Sequence, residues 1–195
     1  MKKAIAGIAV ALAAMTAPAS ADWIHQKSED PFNGDQHIAL GADFSGFTVA
    51  FRCTSQQDVT LMLIMPDKPD PVMILGLNTL GPKIAVIVDD QPKVEFEAEA
   101  DQTPDGDNLR FEAKNESIAN VAASVAGASR RVAVAGVING KAAETHTFDV
   151  DGSTRAVSAL IKGCNLKPED DTPEASKSDD KSDGDSLYND IMKSK

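Results

Sequence analysis

The chain has 195 residues, of which 19 are basic and 30 are acidic, so its formal charge at pH 7 is −11. A surface this acidic repels phosphate backbones and anionic lipid, which argues against nucleic acid as a partner and against unassisted membrane binding. The length suits a single domain with a core of ordinary size.

The N-terminus predicts a cleaved secretory signal peptide over residues 1–21. Lys2 and Lys3 precede an uncharged apolar run that is shorter than the roughly 20 residues needed to cross a bilayer. A small-residue pattern ends at Ala21, so we expect cleavage between Ala21 and Asp22. The expected location is the periplasm or the exterior, with 17 basic and 30 acidic residues on the exported chain.

The exported chain divides into a folded region and a tail. Residues 22–166 carry the apolar patterns of one β-rich domain, whereas residues 167–195 are acidic and poor in apolar side chains. Such a composition buries too little surface to offset the ordering entropy, so we predict a disordered tail. From Leu187 to Met192 the apolar residues again have helical spacing. This segment is interpreted either as a small helix that docks on a partner or as a frayed terminus.

Apolar residues that alternate with polar ones predict the strands. Residues 46–53 are the clearest case, since Phe47, Phe51 and Cys53 share one face. Residues 59–65 are apolar on both faces, as in a central strand that is covered on both sides. Further strands are predicted at residues 23–27, 36–42, 72–77, 83–88, 93–98, 109–114, 131–138 and 142–150.

Two hairpins are predicted from the spacing of these strands. Asn139 and Gly140 are the strongest turn signal, because a type I′ turn needs positive φ at both positions. Residues 83–88 and 93–98 form the other pair.

Charged residues that come after the second hairpin predict a contact between strands. Residues 100–108 are predicted to be a polar loop, and the strand after it turns Arg110 and Lys114 outward. We expect these two cations to lie across from Glu95 and Glu97.

The first of two predicted helices has apolar residues at i, i+3, i+4 and i+7 from Ile118 to Val125. Asn115 is placed to cap it and Gly127 to end it. The second helix follows a cap at Asp151 or Ser153, and Gly163 marks its end. Its apolar face includes Val157, Leu160, Ile161 and Cys164.

The two cysteines, Cys53 and Cys164, are most simply explained as one disulfide, because an exported chain meets an oxidising compartment. Two separate buried thiols are the alternative. A bond between them closes a loop of roughly 110 residues, for which chain entropy gives on the order of 4–5 kcal/mol.

The histidines give no metal-site spacing. His25, His37 and His146 have no carboxylate or cysteine at a ligand spacing, so we interpret all three as surface residues of strands or loops.

Two acidic runs invite comparison with cation loops. The run from Asp149 to Ser153 begins like a calcium loop, but Thr154 and Leu160 stand where glycine and glutamate are required, so we interpret it as a turn that caps a helix. A second candidate group for a cation comprises Asp101, Asp105, Asp107 and Asn108.

The chain has no nucleophile elbow, no phosphate-binding glycine loop and no zinc-protease helix motif. We therefore predict a protein that is not an enzyme, with no catalytic residues, no cofactor and no metal.

A pattern across the exported domain resembles two groups of proteobacterial periplasmic proteins. These are the type VI secretion system-associated periplasmic proteins and the invasion-associated locus B family. The resemblance implies a β-rich, non-enzymatic accessory protein; the acidic tail and residues 72–89 depart from it. The positions that carry it are Trp23, Arg52, Cys53, Phe148, Gly152, Ala156, Leu160 and Cys164.

Together these patterns predict a β-sandwich of eight or nine strands with two short helices, one disulfide and an acidic tail. The leading hypothesis for function is an exported envelope accessory protein that binds an unidentified envelope protein. The alternatives are a periplasmic carrier with a small ligand between its sheets, and a secreted hydrolase. The oligomeric state is left open.

Overall fold

The structure is a computed structural model that describes residues 23–29, 34–54 and 59–168. The predicted signal peptide, its cleavage point between Ala21 and Asp22, and the tail after residue 168 lie outside these ranges. The described residues form ten strands and three helices, whereas eight or nine strands and two helices were predicted. In chain order these are β1 (Ile24–Ser28), β2 (Gln36–Ala42), β3 (Thr48–Thr54), β4 (Val59–Met65), α1 (Pro71–Thr79), β5 (Lys83–Val88), β6 (Val94–Glu97), β7 (Glu99–Gln102), β8 (Leu109–Lys114), α2 (Ile118–Ala126), β9 (Val132–Ile138), β10 (Lys141–Phe148) and α3 (Ser153–Gly163).

The strands form two antiparallel sheets. The larger has the order β1-β2-β3-β4-β8-β7, and the smaller has the order β10-β9-β5-β6. The smaller sheet packs against β4 and β8, whereas α3 packs against β1, β2 and β3, with α2 beside it. One face of the larger sheet is therefore covered partly by strands and partly by helices, in a sandwich-like arrangement. Phe51, Leu61 and Phe111 are buried within it.

The structure confirms most of the predicted elements. β2, β4 and β5 have the predicted bounds, and β4 lies between β3 and β8 with the side chains on both of its faces mostly buried. Asn139 and Gly140 have φ values of 52° and 71° and join β9 to β10 in a hairpin. Helices α2 and α3 also occur where they were predicted.

Two predictions about the middle of the chain are wrong. Residues 72–77 are not a strand but most of α1, which makes three helices rather than two. Residues 100–108 are not wholly loop, because Glu99–Gln102 form β7. Between β6 and β7, the amide of Ala98 donates to the carbonyl of Pro82, and the chain passes there from the smaller sheet to the larger one.

This crossing also separates the charges that were predicted to meet. β6, with Glu95 and Glu97, belongs to the smaller sheet, whereas β8 pairs with β4 and β7 in the larger sheet. Arg110 therefore pairs with Asp101 of β7 instead. The predicted contact of Arg110 and Lys114 with Glu95 and Glu97 is wrong.

The end of the chain closes the fold onto its beginning. Cys53 of β3 and Cys164, which caps the C-terminus of α3, form the predicted disulfide. At the other end of α3 the N-cap is Gly152, so the prediction of a cap at Asp151 or Ser153 is wrong.

Gly152 is required there because of Trp23. Its φ is +79°, and a Cβ would lie 2.9 Å from the carbonyl oxygen of Trp23. The indole Nε1 of Trp23 donates to the carbonyl of Asp149 at 2.7 Å, and its amide donates to the carbonyl of Asp151 at 2.9 Å. The strand-to-helix turn thus holds the first described residue of the domain.

Candidate interaction surface

Helix α1 owes its bounds to residues at its two ends. Asp70 is the N-cap, and its Oδ1 accepts a hydrogen bond from the amide of Met73 at 2.8 Å. Pro71 occupies the first helical position, where its fixed φ is favourable and its missing N–H costs nothing. Gly81, with a φ of +61°, follows the C-terminus. In the sequence, only Asp70, Pro71 and Gly81 indicate a helix, because the apolar run between them resembles a strand.

The outer face of α1 is apolar and exposed. Val72 is 79% exposed and Leu75 is 70% exposed, with Met73 and Leu80 exposed beside them, and no residue of the helix is buried. A helix that is apolar on every side normally lies inside a protein. Because exposing apolar area to water costs about 25 cal/mol per Å², patches of this kind mark interaction sites.

The inner side of α1 is attached to the edge of the larger sheet. Ile74 and Leu77 are half-buried. The side-chain amide of Asn78 donates to the carbonyl of Ala100 at 2.9 Å, and its oxygen accepts from the Ala100 amide at 2.7 Å. Asn78 thereby satisfies backbone groups of the edge strand β7, and α1 is fixed in position with its outer face turned to solvent.

Charges are confined to the two ends of α1. Residues 71–82 contain no charged side chain. Asp67 and Asp70 lie before the N-terminus, and Lys83 follows the C-terminus, where its Nζ lies 2.8 Å from Glu97. The helix is therefore an uncharged apolar surface, with Asp67, Lys68 and Asp70 before it and the Lys83–Glu97 ion pair after it.

A charged network occupies the outer face of the larger sheet. Glu112 of β8 accepts from Arg52 at 3.0 Å and lies 3.4 Å from Lys114 and 3.5 Å from Arg110. Arg110 also donates to Asp101 at 3.0 Å. These groups pair with one another across three strands, although Nε of Arg110 is buried without a hydrogen-bond partner.

The interpretation of the histidines as surface residues is wrong for His37 and His146, which are both buried. His25 Nε2 and His37 Nδ1 lie 3.1 Å apart. Burial, with the neighbouring His37, lowers the pKa of His25. The ring of His146 stacks on Phe47. Within the described ranges no histidine is hydrogen-bonded to a serine.

His146 instead supports a loop through Asp43. Its Nδ1 lies 2.9 Å from Oδ2 of Asp43, whose Oδ1 accepts from the amides of Ser45 and Phe47. This holds the turn between β2 and β3 in a tight conformation. The turn presents Phe44, which is 78% exposed, as a second apolar surface feature.

The two acidic runs are used within the fold. Residues 149–153 form the turn that binds Trp23, as described above. In the other run, the Thr103 hydroxyl donates to Asp105 and lowers the pKa of that carboxyl. Asp107 pairs with Lys68 at 3.2 Å, and Asp101 pairs with Arg110. In the part of the chain that the structure describes, no three His, Cys, Asp or Glu side chains are grouped as metal ligands.

The carrier hypothesis placed a ligand between the sheets, where large side chains are packed. Phe111 of β8, which lies against Gly136 of β9, and Ile84 and Val86 of β5 are each at most 2% exposed. A depression of about 550 Å³ crosses the charged strands β6, β7 and β8, and another of about 200 Å³ lies beside Ala85, on a face of the smaller sheet. Neither of these two depressions lies between the buried faces of the two sheets.

Comparison with known proteins found no family model, curated protein or solved structure that matches the chain. The resemblance to the type VI secretion-associated and invasion-associated families therefore stays a prediction. None of the helices in the described ranges has the length and apolar character to cross a bilayer.

Proposed function

We propose that this protein is an exported accessory protein of the cell envelope that acts by binding a protein through α1, and not by catalysis. The observation that carries the proposal is the exposure of Val72 and Leu75 on a helix that has no charge. An apolar helix face that lies in a groove or against another helix is a recurring mode of protein recognition.

The proposed periplasmic location has independent support. The N-terminal sequence has the features of a signal peptide, and the disulfide between Cys53 and Cys164 suits an oxidising compartment. Neither feature bears on the partner.

The test is affinity capture from an envelope extract with the purified, disulfide-bonded protein as bait. The proposal predicts that a bound protein is retained by the wild type and by Ser158→Glu, and lost with Leu75→Glu. Ser158 is exposed on α3 and provides a matched site for the same charge. Equal capture by all three baits would reject α1 as the binding surface, and turnover of a hydrolase substrate panel would favour an enzyme.

A further inference from the structure

We propose that His25 and His37 form a proton-sensitive joint, which holds β1 to β2 and to the C-terminus of α3 at neutral pH and releases β1 in acid. Neither histidine lies on α1, so the joint does not depend on the proposed function. Three observations support it: the contact between the two rings, the burial of His37, and the number of protons that the contact allows.

The two histidines are diagonal neighbours on the face of the larger sheet against which α3 packs. The register of β1 with β2 places His25 across from Ala39 and Lys27 across from His37. Nε2 of His25 lies 3.1 Å from Nδ1 of His37, and the two rings stack with their centroids 5.3 Å apart. This distance is that of a hydrogen bond, in which one ring nitrogen donates and the other accepts.

His37 connects the pair to the end of α3. It is 7% exposed, and it lies across from Cys53 in the register of β2 with β3. Gly163, the last residue of α3, contacts the ring so closely that a Cβ there would overlap it. Cys164 follows and forms the disulfide with Cys53. Because these contacts enclose His37, its ring has little room to turn away from His25.

The contact between the rings limits how many protons the pair can hold. A neutral imidazole has one N–H, so two neutral rings supply one donor and one acceptor to the contact. A first added proton binds to a nitrogen outside the contact and leaves the hydrogen bond intact. A second one makes donors of both facing nitrogens and places two positive rings side by side. The rings therefore titrate as a unit, and the doubly protonated pair cannot keep the contact.

The direction of the pH effect follows from His25. Burial, and after it the neighbouring His37, lowers the pKa of His25 from its ordinary value of 6.5. A histidine whose pKa is lower in the folded state stabilises the fold above its unfolded pKa, and this stability is lost as the pH falls below that value. The joint should therefore be closed at pH 7.5 and should open increasingly between about pH 6.5 and pH 5.

The charged groups around the pair do not offset this effect. Lys27, on the same face of β1 as His25, is a further cation and is paired with Asp35 at 2.7 Å and Glu29 at 3.3 Å. Among the described residues, no carboxylate is paired with either ring, and β3 has no charged side chain on this face. Lys162 of α3 is exposed. The C-terminus of a helix favours a positive charge, which helps the first proton but does not restore the lone pair that the second one removes.

Hydrogen exchange of the oxidised protein at pH 7.5 and pH 5, corrected for the intrinsic effect of pH on exchange, measures the opening. In the wild type the protection of β1 should fall about tenfold or more, whereas β4, at the centre of the larger sheet, should keep its protection. The NMR signals of the two rings should also change together in two steps. Equal protection of β1 at both pH values, or independent single steps, would overturn the inference.

Two variants test whether the pair is the source of the effect. His25→Gln removes one proton site and keeps a donor and an acceptor for the contact with His37, so β1 should be equally protected at both pH values. His146→Gln is the control, because it removes the third histidine, which lies against Asp43 instead. It should leave the loss of protection in acid unchanged. The same loss in His25→Gln, or no loss in His146→Gln, would reject the joint.

Discussion

Asn78 forms with Ala100 the two hydrogen bonds that a neighbouring strand would form. Its amide nitrogen lies 2.9 Å from the Ala100 carbonyl, and its oxygen lies 2.7 Å from the Ala100 amide. The pair covers part of the exposed edge of β7, which would otherwise be open to pairing with another chain. It also explains how an apolar helix with little burial keeps a fixed position.

We predict that Asn78→Ala lowers the free energy of unfolding by about 1–2 kcal/mol, because two part-buried backbone groups lose their partner. Asn78→Asp keeps the acceptor for the Ala100 amide but loses the donor, and it places a carboxylate oxygen near the Ala100 carbonyl. Urea denaturation should therefore show a loss for both variants. No change in Asn78→Ala would mean that water replaces the side chain at no cost.

The disulfide is predicted to supply a large share of the stability. Because Cys53 and Cys164 are 111 residues apart, replacing both with alanine should cost about 2–5 kcal/mol. Thermal melts with and without reductant provide the measurement. The wild type should melt lower with reductant, and the double variant should melt at the same temperature in both conditions. A wild type that is insensitive to reductant would contradict the prediction.

A side chain at position 163 is predicted to destabilise the fold. A Cβ at this position would lie 2.3 Å from Cε1 of His37, and His37 is buried beside the disulfide, across from Cys53 in the β2–β3 register. Gly163→Ala should therefore cost about 1–3 kcal/mol, the usual range for overpacking.

Gly127 provides the control for that change. It also ends a helix, but its Cβ would meet only backbone oxygens at 3.7 Å, an ordinary contact, and its φ is −93°. Gly127→Ala should be close to neutral in the same denaturation experiment. Equal effects at the two positions would indicate that the ring of His37 moves aside.

The loss of folding stability at acidic pH is predicted to depend on Asp89. Its carboxylate accepts hydrogen bonds from the amides of Ser129, Arg130 and Arg131, and these lower its pKa well below the ordinary value of 3.8. A carboxyl whose pKa is lower in the folded state stabilises the fold above its unfolded pKa. This stability should be present at neutral pH and be lost as the pH falls below about 4.

Asp89→Asn should therefore lower the unfolding free energy at neutral pH and reduce its decline on acidification. Urea midpoints measured across the acid range provide the test. Asp90→Asn alters the adjacent carboxylate, which pairs with exposed Arg130, and should leave the decline in place. Parallel curves for the wild type and Asp89→Asn would rule out a role for Asp89.

Much of the fold could be predicted because its local patterns agree with its packing. The alternation around Phe51 and the turn at Asn139 and Gly140 each specify one structure. Helix α1 was missed because residues 72–77 are apolar without a helical period, and an exposed apolar helix gives no pattern of buried and exposed faces. Its signal lay only at its ends, in Asp70 followed by proline and in Gly81 followed by proline.

The contacts of the histidines could not be predicted from spacing. His146 and Asp43 are 103 residues apart, and only the packing of β10 against the turn between β2 and β3 brings them together. The passage of the chain from the smaller sheet to the larger one at Ala98 also depends on tertiary packing. Residues 94–102 alternate through the crossing with little local sign that the chain changes sheets, so the charge partners of β8 were assigned to the wrong strand.

We predict that the outer face of α1 contributes little to the stability of its own domain. Leu75→Glu should change the unfolding free energy by no more than about 0.5 kcal/mol, as is usual for exposed positions. Leu77→Glu, on the half-buried inner side, should cost clearly more. A large loss from Leu75→Glu would mean that Leu75 is packed within the monomer.

The most direct test of the central claim is photo-cross-linking in intact cells, with a photoreactive residue placed at position 75 and, in a second strain, at position 158. The account predicts a protein adduct from position 75, whether to a second copy or to another envelope protein, and none from position 158. It also predicts that the adduct disappears when Val72→Glu is added. The absence of an adduct at position 75, in cells where the protein is exported and disulfide-bonded, would contradict the claim that α1 is a docking surface.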